Sequence, residues 1–139
     1  MTPFFEDHID FLSVIYTRQF ERLVDLNMEL IRYIMIQLGI DVKIVLLSDL
    51  DIDTKEPQLS IEISRKLGAK CFVAQRSAGK YLDQESFKRE GIELEFFAFR
   101  APVYPQLWGP FVSNLSVLDV LFSCGPKARR IIKGGKGTP

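Results

Sequence analysis

Cysteine and histidine, the side chains behind disulfides and many metal sites, are scarce in this sequence. The 139 residues include two cysteines, Cys71 and Cys124, and one histidine, His8. Two cysteines cannot build a disulfide framework, and no CxxC or HExxH pattern is present to hold zinc. We therefore predict no metal site. Both cysteines lie in apolar surroundings, which indicates buried, reduced thiols of a cytoplasmic protein.

An excess of charge of one sign is missing as well, and so are long hydrophobic runs. Eighteen basic residues balance eighteen acidic ones, so charge gives no reason to expect a nucleic-acid partner. No apolar stretch reaches the roughly 18 residues that a transmembrane helix needs. The composition, 47% hydrophobic and 26% charged, is ordinary for a globular protein. We predict a single domain over residues 1–133 and a mobile tail at 134–139.

Glycine occurs in the same surroundings at three places. The stretches "QLGIDVKIVLLS", "KLGAKCFVAQR" and "REGIELEFFAF" each contain a helix end, a glycine and then an apolar run too short for a helix. This order is typical of consecutive, Rossmann-like βα units. It predicts the α/β class, with a small parallel sheet of at least three strands and flanking helices. The strands are expected at Lys43–Leu47, Cys71–Gln75 and Glu93–Phe99.

Helices are predicted at both ends of this pattern. Apolar residues recur with the helical period from Phe20 to Leu38, and an earlier helix-like stretch contains His8, which suits a surface or packing role better than that of a general base. A short helix follows Ser116, which would be its N-cap with Asp119 as the reciprocal partner. Its residues are apolar on every side, so it should be buried.

An irregular segment precedes this last helix. The stretch "APVYPQLWGPFVSNLS" holds three prolines and a glycine, which favour extended, irregular backbone. It is also rich in aromatic residues: Tyr104, Trp108 and Phe111. Long ordered loops of this kind usually pack against a core or form a binding surface.

The stretch "AQRSAGKYLDQESF" contains a Gly-Lys pair between a strand and a helix that Asp83 can cap. A Walker phosphate loop needs glycine where Ala74 stands and Ser or Thr where Tyr81 stands, and a GxGxxG fingerprint needs more than Gly79. Both are excluded. The position remains favourable, because ligands of parallel sheets bind at the carboxyl ends of strands. Amides at residues 77–79 and Lys80 would suit a phosphate or carboxylate; a plain strand-to-helix connection is the other interpretation.

Three stretches resemble segments of the WbqC-like family of bacterial proteins. They are "ERLVDLNMELIRYIMIQLGI", "GKYLDQESFKREGIELEFFAF" and "PVYPQLWGPFVSNLSVLDVLFSCGP". The third is the most specific, since Tyr-Pro-Gln, Phe-Val-x-Asn-Leu-Ser and Asp-x-Leu-Phe-x-Cys-Gly follow in one order. The resemblance runs from about Phe20 to about Ile132. Family members begin with a further segment similar to His-Gln-Pro-Asn-Tyr-Leu-Pro, so we expect this chain to be a truncated member or the C-terminal portion of one.

The resemblance implies a role in bacterial surface polysaccharide synthesis, because the family is associated with gene clusters for the O-antigen of lipopolysaccharide. The activity that it suggests is group transfer onto, or binding of, a nucleotide-linked amino sugar. The sequence does not identify the catalytic residues or a cofactor, and it leaves open whether the protein is an enzyme. The residues expected to bind the ligand are Ser77, Gly79, Lys80, Tyr81, Tyr104, Gln106, Asn114 and Asp119.

A second interpretation belongs to a different class of protein. The chain could serve as a non-catalytic binding or assembly module, with the aromatic segment 101–115 as its contact surface. A sheet of three strands is narrow, so we expect either a missing portion of the chain or a partner subunit, as in a homo-oligomer, to cover a sheet edge.

Overall fold

The helices and strands follow the apolar runs that the glycines separate. The computed structural model describes residues 1–134, so the predicted tail lies, from residue 135 onward, outside the described residues. In chain order the elements are α1 Glu6–Thr17, α2 Leu23–Gln37, α3 Gln58–Lys66, β1 Cys71–Gln75, α4 Gln84–Arg89, β2 Glu93–Phe97, α5 Val117–Cys124 and α6 Ala128–Gly134. Within residues 1–134, no helix has both the length and the apolar character needed to cross a membrane.

The chain divides into two compact units. The first consists of Met1–Val42 and the chain from Arg100 onward, and the second consists of Lys43–Phe99. The sheet and the Gly-Lys turn belong to the second unit, whereas the aromatic segment 101–115 belongs to the first. The single domain expected over residues 1–133 stays a prediction.

Among residues 1–134 the sheet has two strands, so the expectation of at least three is wrong. β1 and β2 pair in parallel, with Cys71 opposite Glu93 and Gln75 opposite Phe97. The missing strand is the one predicted at Lys43–Leu47. Leu46 is extended, but the residues before it have no ladder partner in the described chain, and a helical turn starts at Leu47. Hydropathy identified an apolar run there, but it carries no information on pairing.

A core of apolar side chains holds the sheet and its helices together in the second unit. Phe87 of α4 is fully buried and packs with Ile61, Ala74 and Leu94. These residues form one core that joins α3, β1, α4 and β2. The β1–α4–β2 segment is therefore the parallel βαβ unit that the glycine pattern predicts.

Local signals at the helix ends are confirmed. Gly68 and Gly91 follow helices with φ of +65° and +70°, where a side chain would be strained. Asp83 caps α4, since its Oδ1 accepts a hydrogen bond from the Ser86 amide at 2.8 Å. That bond lowers the pKa of the Asp83 carboxyl.

Cys71 is exposed, which contradicts the expectation that both cysteines are buried. Successive side chains of a strand point to opposite faces. Ala74 lies on the covered face of β1, whereas Cys71, Val73 and Gln75 lie on the uncovered one. An apolar sequence context does not reveal which face a strand residue occupies. Cys124 is buried as expected.

The first unit contains the expected helix pair. His8 of α1 is buried, and its Nδ1 lies 2.6 Å from the hydroxyl oxygen of Tyr33 on α2. The Tyr33 ring stacks on Phe11, with ring centres 3.7 Å apart. These contacts confirm the packing role expected for His8.

The short helix after Ser116 is buried as predicted. Val120, Leu121 and Cys124 of α5 are buried, and the other five residues of this helix are half-buried. Ser116 is its N-cap and accepts a hydrogen bond from the Leu118 amide at 3.2 Å. The predicted reciprocal bond from Asp119 does not form, because that carboxylate binds another group described below.

We predict that Gly125→Ala destabilises the protein more than Gly109→Ala. Both glycines have positive φ, +48° and +73°, which costs a non-glycine residue about 1–2 kcal/mol. A methyl group on Gly125 would also lie 2.5 Å from the Phe4 ring, whereas one on Gly109 would meet no atom within 4 Å. The overlap should add about 1–3 kcal/mol. Urea unfolding of both variants measures the difference; equal losses would contradict the packing around Gly125.

Candidate functional site

A helical turn follows β1 directly at the carboxyl ends of the two strands. Parallel strands have their carboxyl ends at the same edge, and the turn Arg76–Lys80 leaves β1 at that edge. An open cleft of about 250 Å³ lies beside it. The cleft is formed by the start of α3, by β1 and by the turn. It is lined by Glu56, Ser60, Phe72, Val73, Ala74, Gln75, Ser77, Ala78, Tyr81 and Leu82.

Two of the four residues predicted here line this cleft. Ser77 and Tyr81 contribute to its wall, whereas Gly79 and Lys80 belong to the same turn but do not line it. Tyr81 is 55% exposed, so part of the residue is accessible to a ligand. Ala78 and Leu82 anchor the turn, because both are buried in the core of the second unit.

Gly79 is not required by the backbone of the turn. It is not among the glycines with positive φ. A methyl group at this position would lie 3.7 Å from the Phe96 ring, an ordinary contact distance. The local fold therefore tolerates a side chain at residue 79, and the glycine leaves the main chain of the turn uncovered.

Glu56 and Ser60 complete the cleft and were not among the predicted site residues. Ser60 is buried and donates its hydroxyl to Glu56 Oε1 at 2.7 Å, while its amide donates to Oε2 at 3.2 Å. These two bonds fix the carboxylate beside the first turn of α3. The sequence signal was an acidic residue before Pro57 with a serine four positions later, which marks a helix start and says nothing of a cleft.

The charge of the cleft is negative. Among the described residues that line it, Glu56 alone is charged, and the polar groups of Gln75, Ser77 and Tyr81 are neutral. A second open cleft, of about 540 Å³, is lined by Lys70 and Lys88 as well as Glu93. It lies by the amino-terminal end of β2, so the two clefts occupy opposite edges of the sheet.

Tyr104 and Asp119 bind each other in the first unit. The Tyr104 hydroxyl donates to Asp119 Oδ2 at 2.6 Å, and the tyrosine is 6% exposed. Burial raises the pKa of the Tyr104 hydroxyl, and the bond to the carboxylate raises it further. The pair fastens the aromatic segment to α5. Ligand contact by these two residues stays a prediction.

Gln106 closes a loop with its side-chain amide. Its Nε2 donates to the Val112 carbonyl, and its Oε1 accepts from the Val112 amide, both at 2.8 Å. Inside this loop, Trp108 has a φ of +67° and is 87% exposed. Asn114 also has positive φ, +62°. The loop thus holds a tryptophan in solvent.

The eight predicted residues are divided equally between the two units. Ser77, Gly79, Lys80 and Tyr81 belong to the second unit, and the four from Tyr104 to Asp119 belong to the first. Ligand binding by either group stays a prediction. No group of three or more His, Cys, Asp or Glu within residues 1–134 is arranged to hold a metal ion.

Comparison with known proteins places the chain in a family. Residues 1–131 match the WbqC-like protein family. The chain is 29% identical over 126 residues to the uncharacterized protein Rv1507c of Mycobacterium tuberculosis, an alignment that covers 89% of this chain and 54% of that protein. This chain thus spans about half the length of that relative. No solved structure matches it significantly.

The extent of the family match corrects one expectation. The match begins at residue 1, whereas we expected the resemblance to start near Phe20. We also expected the chain to correspond to the C-terminal portion of a family member, and the match does not support that detail. The N-terminal helix α1 is therefore part of the matched region. With nearly the whole described chain matched, this protein belongs to the WbqC-like protein family.

Proposed function

We propose that this protein binds a nucleotide-linked amino sugar in the synthesis of bacterial surface polysaccharide such as O-antigen. The observation that carries the proposal is the cleft at the carboxyl end of β1, which Ser77 and Tyr81 line. Ligands of parallel α/β sheets bind at this end of the strands. Membership in the WbqC-like family supports the polysaccharide role, and group transfer onto the sugar is the reaction that we propose it serves.

The turn after β1 would receive the phosphates of such a ligand. Arg76 and Lys80 are its first and last residues and both are exposed. The first amides of a helical turn lack partners within that turn, and the uncovered main chain at Gly79 allows close approach. The sugar would occupy the cleft, and the nucleotide base would stack on the exposed Tyr81 ring.

The four predicted residues of the first unit have a separate part in the proposal. Asn114 and Gln106 carry amide groups, and Asp119 has a carboxylate, all of which suit sugar hydroxyls. Tyr104 positions Asp119 through their hydrogen bond. We propose that these groups bind the hydroxyl groups of a sugar.

Removal of the Lys80 charge tests where the phosphates bind. Lys80→Ala should weaken binding of UDP-glucosamine about tenfold, the usual effect of losing a hydrogen bond to a charged group. The matched control is Lys88→Ala, which removes an equal charge from the second cleft. Isothermal titration calorimetry measures both. If Lys88→Ala weakens binding and Lys80→Ala does not, the nucleotide binds in the second cleft by the amino-terminal end of β2, which would contradict the proposal.

Gly79→Ala separates the role of the turn in folding from its role in binding. Because the methyl group has room, the melting temperature should stay the same or rise slightly. Affinity for UDP-glucosamine should fall, since the methyl group would stand between the ligand and the main chain. Unchanged affinity in a folded Gly79→Ala protein would favour a plain connection between strand and helix.

The exposed tryptophan favours a second candidate function, that of an assembly module. Trp108 is the most exposed large apolar side chain of the described residues, and tryptophan is enriched at the centres of protein interfaces. The Gln106 bonds to Val112 hold the loop that presents it. In this alternative, segment 101–115 contacts a second copy of the chain.

The assembly function predicts an association that depends on Trp108. Sedimentation velocity over a range of concentrations should show dimers of the wild-type protein, and Trp108→Ser should shift the equilibrium at least about tenfold toward monomers. Tyr16→Ser is the control, because Tyr16 is about as exposed in the same unit. A monomer at all concentrations, or equal weakening by both variants, would rule out this use of the segment.

A further inference from the structure

We infer that the cleft beside β1 binds the protonated amine of a small hydroxylated ligand, with Glu56 as its counter-ion. The inference deepens the proposed function, on whose sugar ligand it rests, because it says which end of the ligand enters the cleft. It concerns residues that lie outside the predicted ligand-binding set.

The Glu56 carboxylate is held in position and retains bonding capacity. Its two oxygens each accept one hydrogen bond from Ser60. A carboxylate offers about four acceptor positions, so each oxygen can accept another donor. Because Ser60 is buried in the first turn of α3, the carboxylate is anchored to a rigid element. Such an anchored acceptor loses little side-chain freedom when a ligand binds.

The polarity of the cleft selects a cation over an anion. Glu56 is the one charged residue among the described residues of the lining, so a phosphate inside the cleft would meet a like charge. An ammonium group donates three hydrogen bonds and has opposite charge, which makes its bonds to a carboxylate shorter and stronger than neutral ones. The phosphates of a nucleotide would then remain outside, toward Arg76 and Lys80.

The remaining walls suit a single small ring with hydroxyl groups. Gln75, Ser77 and Tyr81 supply neutral donors and acceptors, and Phe72 supplies an apolar surface. The volume of about 250 Å³ is just below the roughly 300–1,000 Å³ of pockets for drug-sized ligands. The ligand class is therefore an amine-bearing polyol the size of one sugar ring.

Glucosamine and glucose test the inference, because they differ by one amine and carry no phosphate. Saturation-transfer NMR titrations of the full chain should show tighter binding of glucosamine. In Glu56→Gln the amide oxygen can accept from the Ser60 amide while the nitrogen donates to the Ser60 hydroxyl oxygen. Glucosamine should then bind about fivefold more weakly, the effect of one exposed ion pair. Glucose binding should be unchanged. Glu62→Gln, on α3 but outside the cleft lining, should behave as the wild type.

Several results would overturn the inference. They are equal affinity of the wild type for the two sugars, no detectable binding of either, and a Glu56→Gln protein that keeps full preference for glucosamine. The comparison of glucosamine with glucose binding to the wild-type protein tests the inference even if Glu56→Gln does not fold. If the proposed function is wrong and the present inference is right, UDP-glucosamine will not bind, but glucosamine will still bind through Glu56. If UDP-glucosamine binds and Glu56→Gln has no effect, only the present inference fails.

Discussion

The parallel pairing of β1 with β2 is the constraint on which the candidate site depends. It places Gln75 opposite Phe97, so both strands end at one edge and the Arg76–Lys80 turn begins there. The fully buried Phe87 fixes α4 beneath the two strands. If the strands paired in another register, the core would lose its alternation of inward side chains.

The cleft and its surroundings separate two kinds of charge. The anchored Glu56 carboxylate gives the cleft a negative charge, while Arg76 and Lys80 lie on the turn beside it. A ligand with an amine at one end and phosphates at the other matches that distribution. An aminated nucleotide-linked sugar has this structure, which joins the proposed function to the inference on Glu56. Both rest on a site that the second unit forms by itself.

Local sequence signals predicted the elements well, and long-range contacts accounted for the errors. Gly68, Gly91 and Asp83 mark helix ends through backbone sterics and one short-range hydrogen bond, so a single sequence reveals them. The absent third strand and the exposed Cys71 depend on which chain segments pair and which face is covered. Likewise, Asp119 could have completed a local capping box, but the tertiary bond to Tyr104 takes its carboxylate. Glu56 was missed because its nearest signal is that of a helix start.

Amide proton–nitrogen correlation spectra of the full chain, recorded during a titration with glucosamine, test the central claim most directly. If the cleft beside the carboxyl end of β1 is a ligand site, the resonances of Ser60, Ser77 and Tyr81 should shift together with one affinity. Shifts confined to Lys88 and Gly91, which line the cleft at the opposite edge, or no shifts in the second unit, would contradict the account.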